Sequence, residues 1–212
     1  MKLFDKPLAV EEAKSKLCSE IAYNVGWKLS KSQNKIKKTI DDLVFKINFS
    51  FSKWNNSYKN IEVYCECSLW SKKFDKELNV RSVILHYTFS PNKGYYWNIT
   101  TQKNLEKAIK LLSEEINERV IPLSNQFEAD FSSAIKKLAE VETFDLYNVA
   151  IDFIDIYAGR EYAKNVARHY YDSLSDSIKN SVINYKNGAN DLSWMINRSN
   201  LKYIVDNNVI EL

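Results

Sequence analysis

The sequence predicts an α+β fold. An antiparallel β-meander of about five or six strands packs against helices and is followed by a C-terminal helical extension. Period-two alternation of apolar and polar residues recurs from Trp27 to Thr100. After Thr101 the apolar spacing changes to three and four, the mark of helices with one buried face. The turn-forming clusters between the alternating runs are short, which favours sequential antiparallel neighbours.

A first helix is expected over 8–24. Pro7 suits its start, Glu11 and Glu12 sit where the helix dipole favours anions, and Val10, Ala13, Leu17 and Ile21 share one face. Trp27 to Lys31 alternates, Ser32-Gln33-Asn34 turns, and 36–40 returns as a strand ending at Asp41-Asp42. Phe45, Ile47, Phe49 and Phe51 then alternate with Lys46, Asn48, Ser50 and Ser52, which reads as a strand with one dry face. The polar stretch 53–60 links it to a second such strand. There Ile61, Val63, Cys65, Cys67 and Leu69 face the core, and Glu62, Tyr64, Glu66, Ser68 and Trp70 lie opposite. Val83, Leu85, Tyr87 and Phe89 repeat the pattern, residues 90–94 turn, and 95–100 closes the meander.

Thr101 is placed to cap a helix marked by Leu105, Ala108, Ile109, Leu112 and Ile116. Pro122 opens or kinks the next, marked by Leu123, Phe127, Phe131, Ala134 and Leu138. Thr143 caps a third, with Phe144, Tyr147, Ile151 and Ile154 inward and Gly159 at its end. A fourth runs from Arg160 towards Tyr185 and stops at Asn187-Gly188. A short helix is expected over 191–197, and 201–205 is an apolar tail of unassigned type. The first helix and the one after Thr101 would roof the dry face of the sheet. A boundary near Glu142–Thr143 divides an α+β domain, 1–142, from a helical extension or lobe, 143–212.

At 212 residues, 45% hydrophobic and 13% aromatic, the chain can build a sizeable core, and 4 Gly and 3 Pro exclude a linker-like or collagen-like chain. The net charge of +3 is unevenly spread: +7 over residues 1–101 and −4 over 102–212. The basic excess is nearly all Lys, with five Arg in the chain, which disfavours bidentate phosphate and base recognition. Abundant Lys, Asn and Ile point to an AT-rich coding sequence and so to a bacterium. No leader pattern or uninterrupted apolar run of membrane-spanning length is visible, and three cysteines form no disulfide framework. The expectation is a cytoplasmic protein with no membrane partner.

No catalytic or metal-ligating set emerges. Cys65 and Cys67 alternate onto a dry strand face and read as buried thiols. His86 and His169 are the two histidines, and neither stands at a ligand spacing. Asp152 and Asp155 share a helix face that is expected to be wet. Four scattered glycines cannot form a phosphate-cradling loop, so no cofactor is expected. Lys53-Trp54-Asn55-Asn56-Ser57-Tyr58-Lys59 is the most suggestive segment, because two aromatics sit among lysines and amides in a hairpin loop. The plainer reading folds both rings back onto the sheet; the functional one makes them interface anchors or base-stacking groups. Lys35, Lys37 and Lys38, with Lys72-Lys73, would extend a basic rim.

At Gly26-Trp27-Lys28, Val44 to Phe49 and Ser52 to Asn55, and again at Tyr96-Trp97-Asn98-Ile99 and Ile121-Pro122-Leu123, the chain resembles a bacterial domain family of unknown function. Its members are small helix–meander–helix proteins, some encoded in toxin-immunity neighbourhoods. The likeness covers about residues 10–138 and implies a fold and a binding role, with no functional residues to transfer.

The expectation is therefore a non-enzymatic protein-binding module of the immunity kind, with Lys53, Trp54 and Tyr58 on the loop, or Tyr64, Trp70 and His86 on the open sheet face, holding a protein partner. The alternatives are a nucleic-acid binder using the basic, aromatic loop, and an enzyme with a site between sheet and helices.

Overall fold

Phe45, Ile47 and Phe49 are buried on one side of a nine-residue strand, while Lys46 and Asn48 lie half-exposed on the other. The computed structural model describes residues 5–71, 73–74, 83–91, 94–140, 149–189 and 200–212. The strands are β1 (Lys28–Ser30), β2 (Lys35–Ile40), β3 (Leu43–Phe51), β4 (Glu62–Ser71), β5 (Val83–Phe89) and β6 (Trp97–Asn98). They form one antiparallel sheet in the order β1-β2-β3-β4-β5, with β6 also pairing β4. The register stacks Ile36 beside Ile47 and Cys67, and Phe45 beside Leu69, so the dry residues share one face. The expected closing strand over 95–100 shrinks to Trp97–Asn98, because Tyr95 and Tyr96 turn out to solvent before the chain reaches β4.

The chain divides into two compact units, Met1–Lys72 with His86–Asn125, and Lys73–Leu85 with Gln126–Leu212. The expected boundary at Glu142–Thr143 lies outside the described residues, as do the Thr143 cap and the helix over 191–197.

In the first unit α1 (Val10–Val25) buries Ala13, Leu17 and Ile21 and ends at Gly26, whose φ of +69° returns its N–H to the last helical carbonyls. α2 (Gln102–Glu115) starts at Thr101, whose hydroxyl accepts from Asn104 N, and buries Leu105, Ala108, Ile109 and Leu112. α1 packs on α2 and on β1 and β2, so these helices roof the dry face. Trp27 meets Phe45 edge-on at 5.8 Å beneath them.

A π turn, Ile116–Val120, follows α2, and Ile121 N–H reaches back to Ile116 O before α3 (Ile121–Ala129) begins. Pro122 lacks the N–H that an unbroken helix would need, and the wider turn accommodates this. One helix was expected from Pro122 to Leu138, but a second, α4 (Phe131–Leu138), starts afresh at Asp130. The Asp130 carboxylate accepts from Ser133 N and Oγ, and those two bonds hold its carboxyl below the usual range.

The second unit centres on a ring cluster. Phe74 meets Phe153 at 5.2 Å, Phe131 meets Phe127 at 5.5 Å and Tyr157 at 5.7 Å, and Phe153 lies 4.8 Å from Tyr157. The helices α5 (Ile151–Ala158), α6 (Arg160–Asp172), α7 (Asp176–Lys186) and α8 (Asn200–Asp206) complete it. The single helix expected from Arg160 towards Tyr185 is two. Ser173 Oγ donates to Tyr170 O and Lys179 Nζ to Asp172 O, so side chains take over the helix end. The apolar tail is a helix whose first residue, buried Asn200, accepts from Ile151 N at 3.1 Å and donates to Val149 O at 2.6 Å. Asp152 and Asp155 are not on a wet face: Asp152 is buried and Asp155 is half-buried. Asp155 accepts from Tyr203 Oη at 2.7 Å and pairs with Arg160 at 3.0 Å. That hydrogen bond, after burial, keeps the Tyr203 phenol protonated well above the ordinary tyrosine range. Among the described residues no helix is long and apolar enough to cross a membrane.

Candidate functional site

The link between β3 and β4 is polar, yet it is tied down at most of its length. Asn55 acts as an extra rung: its Nδ2 donates to Glu62 O and its Oδ1 accepts from Glu62 N, each at 2.9 Å. Trp54 N donates to Ser52 Oγ, and Asn56 and Asn60 exchange backbone bonds at 2.8 and 3.0 Å. The far side is pinned to the chain ahead of α1. Tyr58 N donates to Leu8 O at 2.8 Å, and Ser57 Oγ accepts from Val10 N at 3.0 Å. Tyr58 holds a φ of +67°, a left-handed conformation that is unusual for a bulky residue.

This frame goes against the plainer of the two readings, in which both rings fold back onto the sheet. Trp54 is 78% exposed and Tyr58 63%. The pinned left-handed turn carries the Tyr58 ring outward, and Trp54 lies at the tip with the Lys53 ammonium 5.0 Å from its ring.

Antiparallel pairing brings a second loop to the same end of the sheet. β5 finishes at Phe89 beside the start of β4, and Tyr64 Oη is bonded to Thr88 Oγ1 at 2.7 Å. The following loop exposes Tyr95 and Tyr96, at 69% and 53%, and Tyr96 leans on Tyr64 at 6.1 Å. A shallow groove of about 240 Å³ is lined by Ser50, Phe51, Ser52, Tyr64 and Tyr96. Sequence reasoning missed Tyr95 and Tyr96. Their signal was two adjacent aromatics directly after Gly94, where alternation would bury one of them.

The open face runs away from this rim. Its residues lie in cross-strand rows: Ser50 beside Tyr64; Lys35, Asn48 and Glu66; Lys28, Lys37, Lys46 and Ser68; then Thr39, Val44 and Trp70. Glu66 is held from both sides, by Asn48 Nδ2 at 3.3 Å and by His86 Nε2 at 3.0 Å. The Lys46 ammonium lies 4.2 Å over the Trp70 ring, whose Nε1 donates to Ser68 Oγ at 2.7 Å. The six sequence-derived candidates therefore fall into two groups. Lys53, Trp54, Tyr58 and Tyr64 belong to the rim end, and Trp70 stands six residues along β4 from Tyr64, about 20 Å away, with His86 between.

A half-open recess of about 500 Å³ lies along α2, lined by Pro91, Trp97, Asn104, Leu111, Glu114 and Glu118, among others. Beside it Tyr87 donates to Glu115, and burial followed by that bond pushes its phenol up to about 12. Glu115 also pairs with Arg119 at 3.9 Å, so its charge is committed within the fold. Burial pushes the Cys67 thiol up to about 12 and Cys65 well above its ordinary value, which leaves both inert as nucleophiles at neutral pH. His169 is exposed on α6, bonded to Asn165 O. Among the described residues no cluster of three or more His, Cys, Asp or Glu is arranged to hold a metal. Lys72 lies outside the described residues, and Lys38 donates to Asn125 on the far side of the sheet rather than joining the rim. Comparison with family models, curated proteins and solved structures finds no match for this chain.

Proposed function

We propose that this chain is a non-enzymatic protein-binding module, immunity-like, acting in a bacterial cytoplasm. It holds its partner through the aromatic rim of the first unit. One observation carries the reading: Trp54, Tyr58, Tyr95 and Tyr96 are all more than half exposed, on two loops at one end of the sheet. Exposing large aromatics is costly in water, and Trp and Tyr are the residues on which protein interfaces concentrate their binding energy. The hydrogen-bonded frame lowers the ordering cost of association, because Trp54 and Tyr58 do not have to be immobilised together with a floppy loop.

The test compares the full chain with Trp54→Ala/Tyr58→Ala/Tyr96→Ala as baits for lysate of the source cell. The recovered partner is then titrated by calorimetry. Hot-spot truncations of about 2 kcal/mol or more each predict at least a 30-fold loss per principal anchor, with circular dichroism unchanged. A partner bound equally by both baits would overturn the reading.

A further inference from the structure

We infer that the recess along α2 is a binding site for a short zwitterionic peptide of three or four residues. It uses none of the four exposed rings of the rim and does not depend on the protein-binding reading. Asn104, Lys107, Leu111, Glu114 and Glu118 line it, from α2 into the π turn. They stand three, four, three and four positions apart, so they form one stripe. At about 1.5 Å per residue, Lys107 and Glu114 lie about 10 Å apart along the axis, with Glu118 roughly one turn further. One end of the recess is basic and the other acidic.

Both ends hold charge that the fold does not consume. Among the described residues neither Lys107 nor Glu118 makes an ion pair or a side-chain hydrogen bond. Glu114 has only an exposed contact to Lys110 at 3.9 Å. Glu115 is held by Tyr87 and Arg119 and takes no part. Between the ends the lining is apolar. Leu111 is 38% exposed, and Trp97 is held in place by its Nε1, which donates to Phe89 O at 2.8 Å. Asn98 Oδ1 accepts from Thr100 N at 3.0 Å and from Asn104 Nδ2 at 3.1 Å, which fixes how both amides are turned. Asn98 Nδ2 and Asn104 Oδ1 stay open, a donor and an acceptor suited to a peptide bond.

The ligand chemistry follows from this lining. A plain amine would be repelled by Lys107, and a plain carboxylic acid by Glu114 and Glu118. A dipolar molecule satisfies both ends, with its ammonium at the two glutamates and its carboxylate at Lys107. Three extended residues span about 10 Å, which matches the separation of the charges, whereas a single amino acid is too short to reach both. Apolar side chains on the peptide would cover Leu111 and Trp97, and a volume of about 500 Å³ is ordinary for a small-ligand pocket.

The probes are trileucine, N-acetyl-trileucine, trileucine amide, triglycine and hexylamine, titrated into the full chain by isothermal calorimetry. Trileucine should bind one-to-one with a Kd below about 1 mM, and each capped form at least about fivefold more weakly. Lys107→Gln should erase the preference for the free carboxylate and keep that for the free amine. Glu114→Gln/Glu118→Gln should do the reverse. A merely structural role would weaken every ligand alike and erase neither preference selectively. Trileucine should bind about tenfold more tightly than triglycine, and Leu111→Asn should narrow that gap. Lys164→Gln, on α6, should bind as wild type. The inference fails if trileucine does not bind at about 5 mM, or if either variant keeps both preferences. N-acetyl-trileucine binding as tightly as trileucine would point to the C-terminal tail of a protein and overturn it. Hexylamine binding as tightly would reduce the recess to an amine site and overturn it as well.

Discussion

Asn55→Ala should loosen the rim without removing any ring that touches a partner. Asn55 supplies the acceptor for Glu62 N–H and one of two donors to Glu62 O, the other being Ser52 N at 3.3 Å. The substitution strips the N–H of its acceptor and leaves the carbonyl with the longer bond. At a net worth of about 0.5–1.5 kcal/mol per hydrogen bond, the loop opens about 1–2 kcal/mol more easily. Hydrogen exchange at the Glu62 amide should then speed up roughly 5- to 30-fold, while the amides of α2 keep their rates. Asn55→Asp keeps an acceptor for that N–H and should retain most of the protection. Partner affinity should fall by a similar factor in Asn55→Ala, because the loop must now be ordered on binding. An unchanged Glu62 rate would show that Asn55 does not hold the frame. Equal acceleration across α2 would show global destabilisation instead.

Other expected outcomes follow from the two cores. Asn200→Ala strands the Ile151 N–H and the Val149 carbonyl in the interior of the second unit, and should cost about 2–5 kcal/mol in urea denaturation; a loss below 1 kcal/mol would mean water replaces the amide. Phe45→Ala empties the centre of the dry face under Trp27 and should cost about 3–5 kcal/mol by the same assay. Alkali should unfold the protein early. Burial raises the folded pKa of Cys18 to about 11 and of Cys67 to about 12, from an ordinary value of 9.0, so their contribution is whole below pH 9 and drains away as pH rises through 11 and 12. Cys67 alone accounts for a loss on the order of 4 kcal/mol, and Cys67→Ala should flatten the fall in urea midpoint between pH 9 and 12. A midpoint that stays level in the wild type over that range would contradict this.

What was legible in the sequence is what periodicity encodes. Phe45, Ile47 and Phe49 against Lys46 and Asn48 determine a one-sided strand, and the same rule places Cys65 and Cys67 indoors. Helical periodicity is blind to short breaks that preserve phase. Phe127 and Phe131 are four apart whether or not Asp130 interrupts the helix, so the break was invisible. Asp155 looked wet because the residue that bonds it, Tyr203, lies 48 residues further along the chain. Asn200 was hidden for the same reason. The rim was half legible. The composition of 53–59 singled out Trp54 and Tyr58, but their outward set depends on Tyr58 N meeting Leu8 O, and Tyr95 and Tyr96 join them only through strand order.

A photo-crosslinking benzophenone amino acid placed singly at positions 54, 58 and 162 offers the most direct trial of the rim. Tyr162 is partly exposed on α6 and serves as the remote control. In source-cell lysate, positions 54 and 58 should trap one and the same protein, and position 162 should trap none of it. Capture of that protein from position 162 as efficiently as from 54 and 58, or from none of the three, would contradict a partner seated on the aromatic rim.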